Sequence, residues 1–182
     1  MPLGTAYPFG LRDVKITPVT NLVTETYGTA LDLPAARVLS FTESEDFEVL
    51  RGDDKDITTR GSGAKIDWEL EGGGYNADIV KAIYGGTLTD SGVTPNQIRS
   101  IRKLATDARP FFKAEGQAMS DNGGDVHVIL WRCRATGDFD GEFSDGNWFL
   151  TNASGSAFPS QGVGRTDALY DIIYNETVTA IV

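Results

Sequence analysis

Seven consecutive residues, Lys65 to Glu71 (KIDWELE), alternate without exception between polar and apolar side chains. In an extended strand successive side chains point to opposite faces. The run therefore sets Ile66, Trp68 and Leu70 on one face and Lys65, Asp67, Glu69 and Glu71 on the other. This is the clearest strand in the chain, with one face for a core, one for water, and edges that need partners.

The rest of the chain agrees with a β-rich fold. The 21 glycines, many threonines and few long apolar runs favour strands joined by tight turns over a helical bundle. Asp125 to Ala135 (DVHVILWRCRA) is apolar on both faces through its middle, as expected of a central strand covered on both sides. It follows Asp121-Asn122-Gly123-Gly124, a strong turn signal, which joins it as a hairpin to another candidate strand from Pro110 to Met119. Further strands are expected near Asp13 to Val19, Arg37 to Phe41, Phe47 to Arg51 and Asp167 to Thr179.

One short helix is expected over residues 76–84. Asn76 can cap its start, Asp78 favours the positive end of the dipole, Ile79, Val80 and Ile83 form an apolar stripe, and Gly85-Gly86 ends it. A second stretch, Thr94-Pro95-Asn96-Gln97 followed by Ile98, Ile101 and Leu104, fits a helix start and a strand after a turn equally well.

Charge is unevenly placed. Residues 43–63 hold seven acids (Glu43, Glu45, Asp46, Glu48, Asp53, Asp54, Asp56) against Arg51, Lys55 and Arg60, the composition of an exposed hairpin extension or loop. Two roles fit it, a solvated surface loop and an arm that grips a neighbouring subunit. The opposite sign gathers in Arg99, Arg102, Lys103, Arg109 and Lys113, where only Asp107 intervenes. Head-to-tail contact between the two blocks would be complementary. No repeat, low-complexity tract or linker divides the chain, so residues 1–182 read as a single domain.

At 182 residues the chain can bury most of the surface its unfolded form exposes. Its single cysteine, Cys133, excludes an internal disulfide and a cysteine-based metal cluster, which points to synthesis in a reducing cytoplasm. Met1 to Gly10 has no basic start followed by an apolar run, and no apolar stretch approaches the length of a membrane span. A formal net charge of −10 argues against wrapping nucleic acid by neutralising its phosphates.

Reactive side chains are few. His127, the only histidine, lies inside the strongest central strand and reads as a core or sheet-face residue before a general base. Cys133 shares its side by parity, but roughly 20 Å along a strand is too far for a nucleophile and its base. Residues 138–146 (DFDGEFSDG) resemble a calcium loop only superficially, since the required glycine falls at Phe143 and the closing glutamate at Phe149. They read instead as two turns flanking a short strand. Asp67, Glu69 and Glu71 stand about 7 Å apart, a separation compatible with acid and base roles, yet no aromatic sugar platform adjoins them. Gly72-Gly73-Gly74 lacks the lysine and spacing of a phosphate loop. Arg51-Gly52-Asp53 and the sequons at Asn152 and Asn175 have no secretion signal to give them context. No catalytic residue, cofactor or metal is expected.

In order along the chain stand Leu33-Pro34, Phe47 to Asp54 (FEVLRGDD), Ile66 to Gly74 (IDWELEGGG) before a short helix, Gly85-Gly86-Thr87, Gly92 to Asn96 (GVTPN) and Phe112 to Gly116 (FKAEG). Trp131-Arg132-Cys133, Phe158-Pro159-Ser160 and the ending Tyr174 to Ile181 (YNETVTAI) complete the set. In this order the chain resembles the major tail protein, or tail-tube protein, of long-tailed siphophages, especially those infecting actinobacteria. The similarity runs from about Leu33 to the end.

The resemblance implies a β-sandwich or barrel flanked by one helix, closing into hexameric rings that stack into a tube for genome ejection. Its implied partners are further copies of itself, a tape-measure protein, and terminator and tail-tip proteins. DNA passes in transit without specific binding, and no membrane is involved. The implied location is the virion, after synthesis in the bacterial host. An acidic lumen would let DNA slide, and Asp67, Glu69, Glu71, Glu43, Glu45, Asp46, Glu48, Asp53 and Asp54 are the candidates for it or for ring interfaces. Arg99, Arg102, Lys103, Arg109 and Lys113 are the matching inter-subunit basic block. Competing readings are a β-sandwich carbohydrate-binding module using Trp148, a capsid decoration or tail-adaptor protein, and a carboxylate hydrolase. Trp68 and Trp131, in apolar surroundings, read as core.

Overall fold

The structure, a computed structural model, describes residues 4–181. Met1 to Leu3, part of the stretch read above for an export signal, and Val182 lie outside the described residues. From the N-terminus the chain forms β1 (Pro8–Asn21), β2 (Thr26–Tyr27), β3 (Leu31–Asp32), the long pair β4 (Ala36–Gly52) and β5 (Lys55–Gly73), and helix α1 (Ala77–Tyr84). There follow β6 (Thr87–Ser91), β7 (Ile98–Arg102), β8 (Phe112–Ser120), β9 (Asp125–Ala135), β10 (Leu150–Ala157) and β11 (Tyr170–Asn175). The fold is mainly β with one short helix, as expected. No described helix is long and apolar enough to cross a membrane.

Nine strands form one antiparallel sheet in the order β2-β1-β8-β9-β10-β5-β4, with β3 also on β1 and β11 on β9. The β8–β9 hairpin forms on the predicted turn. The path folds over itself, laying β4 and β5 across β8. Trp68 of β5 meets Phe112 of β8 edge-on at 5.4 Å. A Cβ on Gly116 of β8 would stand 2.5 Å from the Leu39 side chain of β4, so the two layers approach closely here and any larger residue would have to push Leu39 aside. The core between the two layers holds Val14, Ile16, Phe112, Ala114, Leu130 and Cys133 on one side and Ile66, Trp68, Leu70, Ala153 and Ala157 on the other. Asp67, Glu69 and Glu71 take the opposite face of β5, as the alternation requires.

Helix α1 packs against β1, β3, β6, β7 and β9, burying Ile79, Val80, Ile83 and Tyr84. Asn76 caps it as read, its side chain accepting from the N–H groups of Asp78 at 2.9 Å and Ile79 at 3.4 Å. Gly85, at φ +80°, ends it and donates to the Lys81 carbonyl.

Several expectations need correction. The ambiguous stretch after Thr94 is a strand, β7, paired with β6. Residues 138–146 contain no strand. Strand β10 has no local signal, because Leu150 to Ala157 (LTNASGSA) is small and polar where strand formers are usually branched or aromatic. Its small residues are needed for space, since a Cβ on Gly155 would collide with the Arg134 backbone and the Trp68 ring. Strand β11 is shorter than Asp167 to Thr179, because the chain leaves the sheet after Asn175.

The outer face of β9 is covered as expected but mixed, with Ile129 buried and Trp131 half-buried among Asp125, His127, Arg132 and Arg134. Its pairing with β8 passes from Phe112↔Cys133 to Ala114↔Leu130, so β9 carries one extra residue there. This bulge breaks the parity between His127 and Cys133. Cys133 turns into the core, and His127 faces outward with Gln117.

Candidate functional site

Three surfaces are candidates for function, and the first is the hairpin arm. Strands β4 and β5 stay paired beyond the body as far as Gly52↔Lys55. Asp53 and Asp54 form the two-residue turn at φ +49° and +59°, a conformation short acidic side chains tolerate in tight hairpins. Over the arm both faces are mostly exposed, including Phe47, Leu50 and Ile57, which are 65%, 59% and 64% exposed. Phe47 and Val49 share one face with Thr59, while Asp46 and Glu48 take the other with Arg60. At its root Glu43 accepts from the Tyr170 hydroxyl at 3.0 Å. Farther out the one ion pair among the described residues is Arg51–Asp56. Glu45, Asp46, Glu48, Asp53 and Asp54 have no ion-pair partner there.

The second surface is the outward face of β5 and β10. Asp67, Glu69 and Glu71 stand opposite Ser156, Ser154 and Asn152. Glu71 pairs with Arg37 at 2.8 Å, and Asp67 with Lys65 at 3.5 Å while accepting from Ser156 at 2.8 Å. These are solvent-screened contacts that leave the face acidic and open.

The third surface is a polar layer on the outer face of β1, β8 and β9, closed by the C-terminal segment. Asp125, fully buried, accepts from the Asn175 amide at 2.9 Å, the Thr179 N–H at 3.0 Å and the Gln117 amide. His127 Nε2 lies 3.1 Å from the Asp125 carboxylate and 3.0 Å from the Thr179 carbonyl, two acceptors, so Nε2 carries the proton. Glu115 stands 3.5 Å from Nδ1 and pairs with Lys113 at 2.9 Å. Gln117 also donates to the Thr179 carbonyl at 2.9 Å, and Lys15 to that of Ile181 at 2.7 Å. Burial alone would raise the Asp125 carboxyl, but the donors, with Thr179 foremost, bring it down to about 2. The imidazole's partners all belong to the chain itself, and the network acts as a bolt that holds residues 177–181 across the sheet.

A related buried knot fixes the loops beside this layer. Glu25 accepts from Tyr27 at 2.6 Å, Ser160 at 2.8 Å and the Gln161 N–H at 2.6 Å. Burial works against its charge, yet these donors and Arg165 hold its carboxyl below the ordinary value. Arg165 lies over the rings of Tyr27 and Trp131 at 4.9 and 4.7 Å. Trp131 is therefore half-buried on the polar side and donates to Asp171 at 3.1 Å, whereas Trp68 is core as read and Trp148 is 90% exposed.

The basic block does not come together as one patch. Arg99 pairs with Asp78 and Asp90, both at 2.7 Å. Lys103 donates to the Tyr84 and Asp107 carbonyls, Arg109 to those of Ala135 and Gly137, and Lys113 pairs with Glu115. Only Arg102 of the five makes neither a salt bridge nor a side-chain hydrogen bond among the described residues.

Two stacked cations escaped the sequence reading. Arg132 and Arg134 lie over Phe111 at 4.8 and 5.1 Å, and neither makes a salt bridge or side-chain hydrogen bond among the described residues. Their i, i+2 spacing in Trp131 to Ala135 is the signal that places both on one strand face. Among the described residues no three or more His, Cys, Asp or Glu are grouped to hold a metal ion. No family model and no curated protein matches the chain.

Proposed function

We propose that the chain is a structural subunit that assembles with copies of itself into stacked hexameric rings, forming the tail tube of a long-tailed bacteriophage. The carrying observation is the arm. A two-stranded ribbon with exposed Phe47, Leu50 and Ile57 buries little in its own chain and is marginal alone in water. A neighbouring subunit supplies the missing surface. The outer edge of β4, at the end of the sheet, offers free backbone groups to the same contact. The acidic face of Asp67, Glu69 and Glu71 suits a lumen past which DNA slides, with tape-measure, terminator and tip proteins as the tube's other partners.

The test is negative-stain electron microscopy with sedimentation velocity at high concentration, on the wild-type protein and on a variant with residues 45–62 replaced by a two-residue turn. Rings or tubes are expected from the wild type. The armless variant should remain a monomer with an unchanged melting temperature. Wild-type assembly without the arm would remove it from the interface, and a strictly monomeric wild type would count against the reading as a whole.

Trp148 favours one other reading. It is 90% exposed beside a cleft of about 410 Å³ lined by Arg37, Asp140, Glu142 and Asn147, a setting suited to stacking a sugar ring. Glycan-array binding that Trp148→Ala abolishes would favour a carbohydrate-binding module instead.

A further inference from the structure

We propose that Arg132 and Arg134, held over Phe111, form the docking site for the acidic arm of a second copy of the chain. The inference rests on the self-assembly reading and names the surface that receives the arm.

The two arginines alternate with Cys133 and Ala135, both buried in the core, so their side chains share the outer face of β9. Both guanidinium groups lie against the Phe111 ring, and Phe158 packs edge-on to that ring at 5.9 Å. The result is a patch with an aromatic floor and two cations oriented by stacking. A guanidinium binds a carboxylate through two parallel N–H donors, and stacking lowers the entropy lost on doing so. In a chain of net charge −10, two adjacent arginines with no carboxylate partner among the described residues suit an anionic group.

Among the described residues no acid of the same chain pairs with either arginine. Asp67 is the nearest by register, through Arg134↔Ser156↔Asp67. Its ion pair among the described residues is with Lys65 at 3.5 Å, and it accepts from Ser156, so it is engaged away from Arg134. The arm carries five carboxylates with no ion-pair partner among the described residues, together with apolar side chains to set against Phe111 and Phe158. Phe47, Leu50 and Ile57 of the arm are exposed and neither β4 nor β5 pairs with β9, so no described contact joins the arm to the arginines of its own chain. Donor and acceptor surfaces on different parts of one chain make a heterologous contact, the kind that closes rings or continues along a stack. The net negative charge disfavours nucleic acid as the occupant.

The test is a charge swap followed by sedimentation velocity. R132E/R134E reverses the patch, and E48K/D53K/D54K reverses the arm. Each variant alone should lose self-association by about tenfold or more, and an equimolar mixture should regain it, because each then supplies the other's complement. Should R132E/R134E fail to fold by circular dichroism, R132Q/R134Q keeps the stems on Phe111 and takes its place. Association left unchanged by the patch variant, or a mixture that does not recover, overturns the docking site while leaving self-assembly standing. Loss of retention on duplex DNA by R132E/R134E with self-association intact also overturns it. A wild type that never associates overturns both.

Discussion

Asp125 shows how one buried carboxylate can decide the behaviour of a region. Its oxygens are met by Asn175, Thr179, Gln117 and His127, which together outweigh the cost of burial. The carboxyl drops from its ordinary 3.8 to about 2 in the folded chain. A group depressed in the folded state adds stability that is fully present above its unfolded value and lost as pH falls through the folded one. The melting temperature should therefore fall more steeply for the wild type than for Asp125→Asn between about pH 3.8 and about pH 2, the two curves converging at the acid end. At neutral pH the variant should be weaker by about 2 kcal/mol, since an amide cannot accept from all four partners. Thermal melts at stepped pH check both points, and parallel curves would remove Asp125 from the account. On the core side of β9, burial pushes the Cys133 thiol up, away from the range in which thiols react.

Among the elements, the C-terminal segment is short yet tied down by several side chains at once. It crosses the polar faces of β1, β8 and β9 and supplies the backbone groups of Thr179 and Ile181 to Gln117, Asp125, His127 and Lys15. Buried polar groups stripped of partners are costly, while the same groups in water cost less, so truncation combines lost bonds with partial rehydration. Removing residues 177–182 should lower the melting temperature by roughly 5–10 °C with the secondary structure retained. Calorimetry and circular dichroism measure this, and an unchanged melt would show that the strap holds nothing. The hairpin arm is the opposite case, an element whose loss should leave the monomer's melting temperature as it was.

For the whole molecule, the separation of charge matters more than its sum. The open face bearing Asp67, Glu69 and Glu71 is held by screened contacts worth at most about 1 kcal/mol each, so D67N/E69Q/E71Q should fold and assemble like the wild type. If this face lines a tube, particles built from the variant should release DNA more slowly after triggering. A time course of DNA release checks it, and an unchanged rate would take these acids out of the lumen. The arm and the arginine patch would then remain as the assembly surfaces, because their argument does not depend on where the acidic face points.

Local pattern determined a good part of this protein. Strict alternation placed Ile66, Trp68 and Leu70 in the core and three acids outside it, Asn76 and Gly85 bounded the helix, and the turn at 121–124 made the β8–β9 hairpin, because each depends on residues close in the chain. Tertiary structure decided the rest. The bulge in β9 that separates His127 from Cys133 arises only in pairing with β8, and β10 exists because its small residues fit beside Trp68. The dispersal of the basic block follows from where Asp78, Asp90, Glu115 and free backbone carbonyls fall in space, which sequence proximity does not encode. The strap, the Glu25 knot and the arginine pair join or isolate charges far apart in the chain, and their partners became visible only once the sheet folded over itself.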